Sequence, residues 1–236
     1  MEESREWESL RGLVEQELRG SQAQLAAAAS GEDALQAVAE RLARQAWAAM
    51  AVRAQPPLRR STWRTWWLLR RYRALSLSGR LAVALVVLHR WLAAHRLHDE
   101  DVQALLEHQW LWLTVGPGDS FDAWHEADVP LLDTALAGVA LPQSTRERCL
   151  TVGADADRLA LLLTYTVAIV EGSLFSAAHD EESLRSLGVV LALAAEDGVS
   201  GPPAAWFARL LRQDRHGWGV SLSAEELHQL RARTSV

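Results

Sequence analysis

Ser78-Gly79-Arg80-Leu81-Ala82-Val83-Ala84-Leu85-Val86-Val87-Leu88-His89-Arg90-Trp91-Leu92-Ala93-Ala94-His95-Arg96-Leu97 is the stretch that decides how this chain folds. Its apolar residues fall on every side of a 3.6-residue turn, so no face is left for water. A helix of this kind is buried on all sides and sits at the centre of a domain. Its uninterrupted apolar run, Leu81 to Leu88, ends at His89-Arg90 and is short of the ~20 residues that a membrane-spanning helix needs. The reading is therefore a core helix wrapped by other helices.

The flanking sequence supplies those helices, since apolar spacing is helical nearly everywhere and no period-2 strand stands out. Trp7, Leu10, Val14 and Leu18 line a first helix over about 4–19, and a second carries Leu35, Val38 and Leu42 as far as Pro56-Pro57. A third covers about 61–76. On it Trp63, Trp66, Trp67 and Arg70 share one arc, with Leu68, Tyr72 and Leu75 on the opposite arc and Arg64 and Arg71 between. One of these faces enters the core and the other needs a second layer or a partner. Asp99-Glu100-Asp101 opens the next helix, where acids suit the positive end of the helix dipole. Gly116-Pro117-Gly118 breaks the chain, and a long connection follows with one turn of helix near 120–126. Short helices are expected at 130–140 and 143–152, a long one from Asp155, another over 180–197, one after Pro202-Pro203, and a last one after the capping box Ser223-Ala224-Glu225-Glu226. The fold class is all-α: an irregular bundle of about ten helices with no solenoid repeat. It forms a single domain over 1–236, with a possible sub-boundary near 115–120.

Charge is distributed unevenly along this bundle. From Arg41 to His98 there is no Asp or Glu but 12 Arg, whereas residues 1–40 carry 3 Arg against 9 acids and residues 99–236 carry 9 Arg against 21 acids. All 24 basic residues are Arg, with no Lys. Guanidinium binds carboxylate or phosphate with two parallel bonds and stacks on aromatic rings. The basic block is also rich in rings, so Trp63, Arg64, Trp66, Trp67, Arg70 and Arg71 are the candidate partner-binding residues. The net charge of -6 weighs against a polyanion as the first choice. The expected function is a non-enzymatic helical protein-interaction module of the adaptor or immunity-protein kind found in bacteria, because Trp and Arg dominate binding hot spots. The alternative is a nucleic-acid binder that uses 53–73, stacking bases on Trp and pairing phosphates with Arg. Internal pairing of these Arg with the chain's own acids is the competing structural explanation.

Three polar groups give a second alternative, an enzyme with a site around Asp122, His125 and Glu171. Asp122 and His125 at i, i+3 lie in the long connection, where functional residues concentrate. Glu171 is the one charged side chain between Arg158 and His179. A buried carboxylate there must be paired or protonated, and an Arg of the basic block such as Arg90 is the expected partner. His89, His95, His98 and His108 lack zinc spacings, so no metal is expected. His179-Asp180 reads as a helix cap rather than a phosphohydrolase dipeptide. No phosphate loop, nucleophile elbow or cysteine pair is present, and no cofactor is expected. Cys149 is the single Cys and reads as a buried thiol. The acidic start of the chain is unlike a secretory signal, and a lone Cys suits a reducing compartment, so a soluble cytoplasmic protein is expected.

Overall fold

Ser76 starts the central helix, in a computed structural model that describes residues 69–115, 119–171, 181–211 and 219–235. Its Oγ accepts the Gly79 N–H at 3.1 Å, and α1 runs Leu77–Ala94. Every residue from Leu77 to Leu88 is buried, as expected for a sequence apolar on all sides. The helix is long and apolar enough by composition to cross a membrane, but protein surrounds it: α1 packs on α2 (Glu100–Leu111), α6 (Ala156–Val170) and α7 (Glu181–Glu196). Gly79 is required for this packing, because a Cβ there would stand 2.6 Å from the Leu210 carbonyl oxygen.

α1 stops three residues earlier than Leu97, the end read from periodicity. Arg96 takes a left-handed conformation (φ 53°), and the Leu97 N–H reaches back to the Leu92 carbonyl at 2.9 Å. This cap costs roughly 1 kcal/mol for a non-glycine residue, and it lets the chain turn so that Leu97 is buried. Asp99 then caps α2 by accepting the Val102 N–H at 3.0 Å. Arg148 reaches the same carboxylate at 2.7 Å from α5 (Gln143–Val152). Burial alone would raise the Asp99 carboxyl, but the Val102 N–H, Arg148 and Thr145 together hold it below the ordinary range.

The remaining helices are α3 (Asp119–His125), α4 (Leu132–Ala137) and α8 (Ala224–Ala232). The last of these carries a complete capping box between Ser223 and Glu226. α6 holds α4, α5 and α7 against itself, and the 3-10 turn Trp112–Thr114 touches α8. All described residues belong to one compact unit, Ala48–Val236. Among them are eight α-helices, and residues 69–72 end a ninth, against the ten or so expected. Two expectations change in detail. The segment after Pro202-Pro203 is a 3-10 turn, Ala204–Phe207. The helix expected to reach 76 ends at Tyr72, whose hydroxyl donates to the Pro202 carbonyl at 2.5 Å. Leu75 is thereby placed in an antiparallel bridge with Leu211, which is the only β pairing among the described residues. Tyr72 and Leu75 are buried, so this arc of the helix end faces the core.

Candidate functional site

The candidate partner-binding residues are described only in part. Trp63, Arg64, Trp66 and Trp67 lie outside the described residues, as does His179-Asp180. Arg70 and Arg71 lie at the described helix end and are exposed, and so is Arg73. Arg71 and Arg73, with Arg90 and Arg96, have no carboxylate within ion-pair distance among the described residues. Two deeper arginines of the block meet neutral groups. Buried Arg80 donates to the Ser183 hydroxyl at 2.5 Å. Arg90 donates to the Ser200 carbonyl and lies over the Trp206 ring, 5.3 Å from its centroid. None of the five described Trp is exposed: Trp91, Trp110, Trp112 and Trp124 are buried and Trp206 is half-buried. Three of their N–H groups donate within the protein, Trp91 to Asp197 at 2.6 Å, Trp110 to His89 at 2.8 Å and Trp124 to the His108 carbonyl at 2.9 Å.

The second candidate comes together differently from expectation. His125, at the end of α3, meets Glu171, the C-cap of α6, with His125 Nδ1 and Glu171 Oε2 4.0 Å apart and both side chains nearly buried. This corrects the expected pairing of Glu171 with Arg90. The Arg90 guanidinium is drawn to Trp206 and Ser200, where stacking and a carbonyl satisfy it without desolvating a full charge. Asp122, by contrast, is exposed one turn before His125. Burial pushes the Glu171 carboxyl up to about 7, so near neutral pH it carries its proton about half the time.

Rings wall this pair. Phe121 stacks on His125, with centroids 5.6 Å apart and planes 15° apart, and Trp112 packs 4.9 Å from Trp124. Trp124 stacks on His108 at 4.7 Å with planes 6° apart. His108 is buried, and its Nε2 has no hydrogen-bond partner among the described residues. Burial, and then the nearby charge of His125, bring its pKa down to about 4, so it is neutral at pH 7. Sequence reasoning found His125 and Glu171 but not this surrounding cage. The signal was present: His108 and Trp112 are an i, i+4 pair, and Phe121, Trp124 and His125 share one face of a short helix.

A carboxyl poised near neutrality beside an imidazole can exchange a proton with a bound group. At 4.0 Å the two groups are in ion-pair range rather than hydrogen-bonded, so direct exchange needs a bridging water or an approach of about 1 Å. Among the described residues no group of three His, Cys, Asp or Glu is placed to hold a metal ion. His89 accepts from Trp110, His95 packs on Trp91 near Asp197, and His98 is exposed. Cys149 is buried, which raises its thiol pKa and makes it a poor nucleophile. Comparison with protein-family models, with curated proteins and with solved structures gives no match to this chain.

Proposed function

We propose that this protein is a helical interaction module that binds an acidic surface of another protein through the arginines at the end of its basic block. The observation that carries this reading is that Arg71 and Arg73 are exposed with no carboxylate in reach among the described residues, although the chain has acids to spare. A cation left unneutralised at the surface is available to an anionic partner, and such charges govern on-rate and specificity. The adjoining Trp-rich sequence, 63–67, supplies the residue types that anchor interfaces.

The test is fluorescence anisotropy of a labelled glutamate-rich peptide, and of a single-stranded oligonucleotide of equal charge, with the full chain at low and moderate salt. Binding of the peptide, weakened about tenfold or more by Arg71→Glu with Arg73→Glu, is the expected result. Preference for the oligonucleotide, with a steep salt dependence, moves the function to nucleic-acid binding. No binding of either ligand, or binding indifferent to the substitutions, overturns the reading.

The approach of His125 to Glu171 favours a second reading, a general acid–base site whose proton donor is Glu171. Carbon-13 NMR of the Glu171 carboxyl reads this out. Titration near 7 that moves on His125→Gln supports it, and titration in the ordinary carboxyl range removes the acid on which it depends.

A further inference from the structure

α5 turns into α6 around Gly153-Ala154-Asp155, and the angle between the two helices leaves an open groove of about 460 Å³. One stripe of α5 lines it with Gln143, Arg146, Glu147 and Leu150, spaced i, i+3, i+4 and i+7, and Asp155 and Asp157 line the other side. Leu150 is 81 % exposed, more than any other large apolar side chain among the described residues. Three carboxylates face one guanidinium here. Arg146 reaches Asp157 only at 3.6 Å, and that carboxylate is 83 % exposed. Glu147 accepts one bond from Gln143, and Asp155 accepts the Asp157 and Arg158 N–H groups, which leaves each further acceptor capacity. The groove thus offers an apolar foothold with surplus negative charge beside it.

The same chain carries the complementary surface. Arg71 and Arg73 are exposed on a block that has no acid from 41 to 98. Among the described residues no ion pair joins this block to the groove. We propose that the groove receives the basic helix end of a second copy of this chain, with Arg71 and Arg73 against Asp157 and Glu147 and an apolar side chain over Leu150. This rests on the reading of the arginines as a binding surface, and it names their partner. The contact is heterologous, pairing two different patches, so it builds head-to-tail chains or rings rather than a two-fold dimer. A groove this small buries less than a standard interface, so the association is weak and depends on concentration. It is strongest at low salt, where the Debye length is ~30 Å rather than ~8 Å.

Sedimentation velocity of the full chain over a concentration series, at low and moderate salt, tests this. Self-association is expected at low salt. Glu147→Arg with Asp157→Arg, and separately Arg71→Glu with Arg73→Glu, each reduce it by about tenfold or more. An equimolar mixture of the two variants restores it, because each now offers the surface that the other has lost. Restoration also shows that both variants are folded. A chain that stays monomeric at every concentration, or association that either variant leaves intact, overturns the proposal. If the wild type is monomeric yet still binds the glutamate-rich peptide through Arg71 and Arg73, self-association fails and the interaction reading stands. If peptide binding is also indifferent to those arginines, both fail.

Discussion

Two sets of arginines divide this molecule. In the acidic half Arg146, Arg148, Arg158, Arg209 and Arg231 each lie within ion-pair distance of a carboxylate. In the basic block Arg80 and Arg90 go to hydroxyl, carbonyl and ring partners, and Arg71, Arg73 and Arg96 face solvent. The two halves have opposite charge, yet Arg71, Arg73, Arg90 and Arg96 have no carboxylate of the acidic half within ion-pair distance among the described residues. Most of the described arginines of the acidic half are paired within it, although Arg185 and Arg233 are exposed without a carboxylate in ion-pair distance among the described residues. An exposed ion pair contributes only ~0–1 kcal/mol, so folding gains little by bringing the block's arginines to distant acids. That leaves them available to a partner. Internal pairing was the competing explanation from sequence, and for Arg71, Arg73, Arg90 and Arg96 no such pair is made among the described residues, while half of the block's arginines lie outside them.

The largest effect that bears on this contrast is expected at Arg80, the one block arginine in the core. Arg80→Ala leaves a cavity beside α1 and takes a donor from Ser183. It is expected to destabilise by about 3 kcal/mol, lowering Tm by about 6–12 °C in a chain of this size. A loss under about 1 kcal/mol in calorimetry would mean that Arg80 is as dispensable as its exposed neighbours.

Glu171 sharpens the comparison from the acidic side, because it is a carboxylate served by an imidazole rather than by an arginine. Folding raises its pKa from 4.5 to about 7. The folded chain therefore holds a proton that the unfolded chain gives up, and stability falls as pH rises through that window. His108 has the opposite sign. Its pKa falls from 6.5 to about 4 on folding, so stability is lost as pH drops across that range. Together the two place maximal stability near about pH 5–6. Glu171→Gln keeps the shape without the charge. It is expected to stabilise by about 3 kcal/mol at pH 8 and by less than about 1 kcal/mol at pH 5. Urea unfolding at both pH values checks this, and equal effects at the two would mean that Glu171 is not ionising in a buried place.

The smallest effect is expected from Arg71→Ala with Arg73→Ala. Exposed side chains without partners change stability by less than ~0.5 kcal/mol, so urea midpoints should coincide with wild type. A loss well beyond that would mean that these arginines hold the fold together, and the contrast between the two sets would collapse.

The helices and their caps were legible in the sequence because their causes are local. Ser223 with Glu226, Asp99 before Val102 and Asp155 before Arg158 each satisfy N–H groups three residues or fewer away. The apolar run around Leu85 makes a central helix whatever surrounds it. The chain's own pattern also marked Asp122, His125 and Glu171 as polar groups out of place. Tertiary structure alone decided what they meet. Glu171 lies beside His125 and not Arg90, Asp122 stays in solvent, and His108 joins the cage with its Nε2 unpartnered. The early stops at Ala94 and Tyr72 were likewise set by distant contacts, the burial of Leu97 and the bond from Tyr72 to Pro202. Local periodicity fixes which residues share a helix face. Which face meets which depends on desolvation and packing between segments far apart in sequence, and no local pattern carries that information.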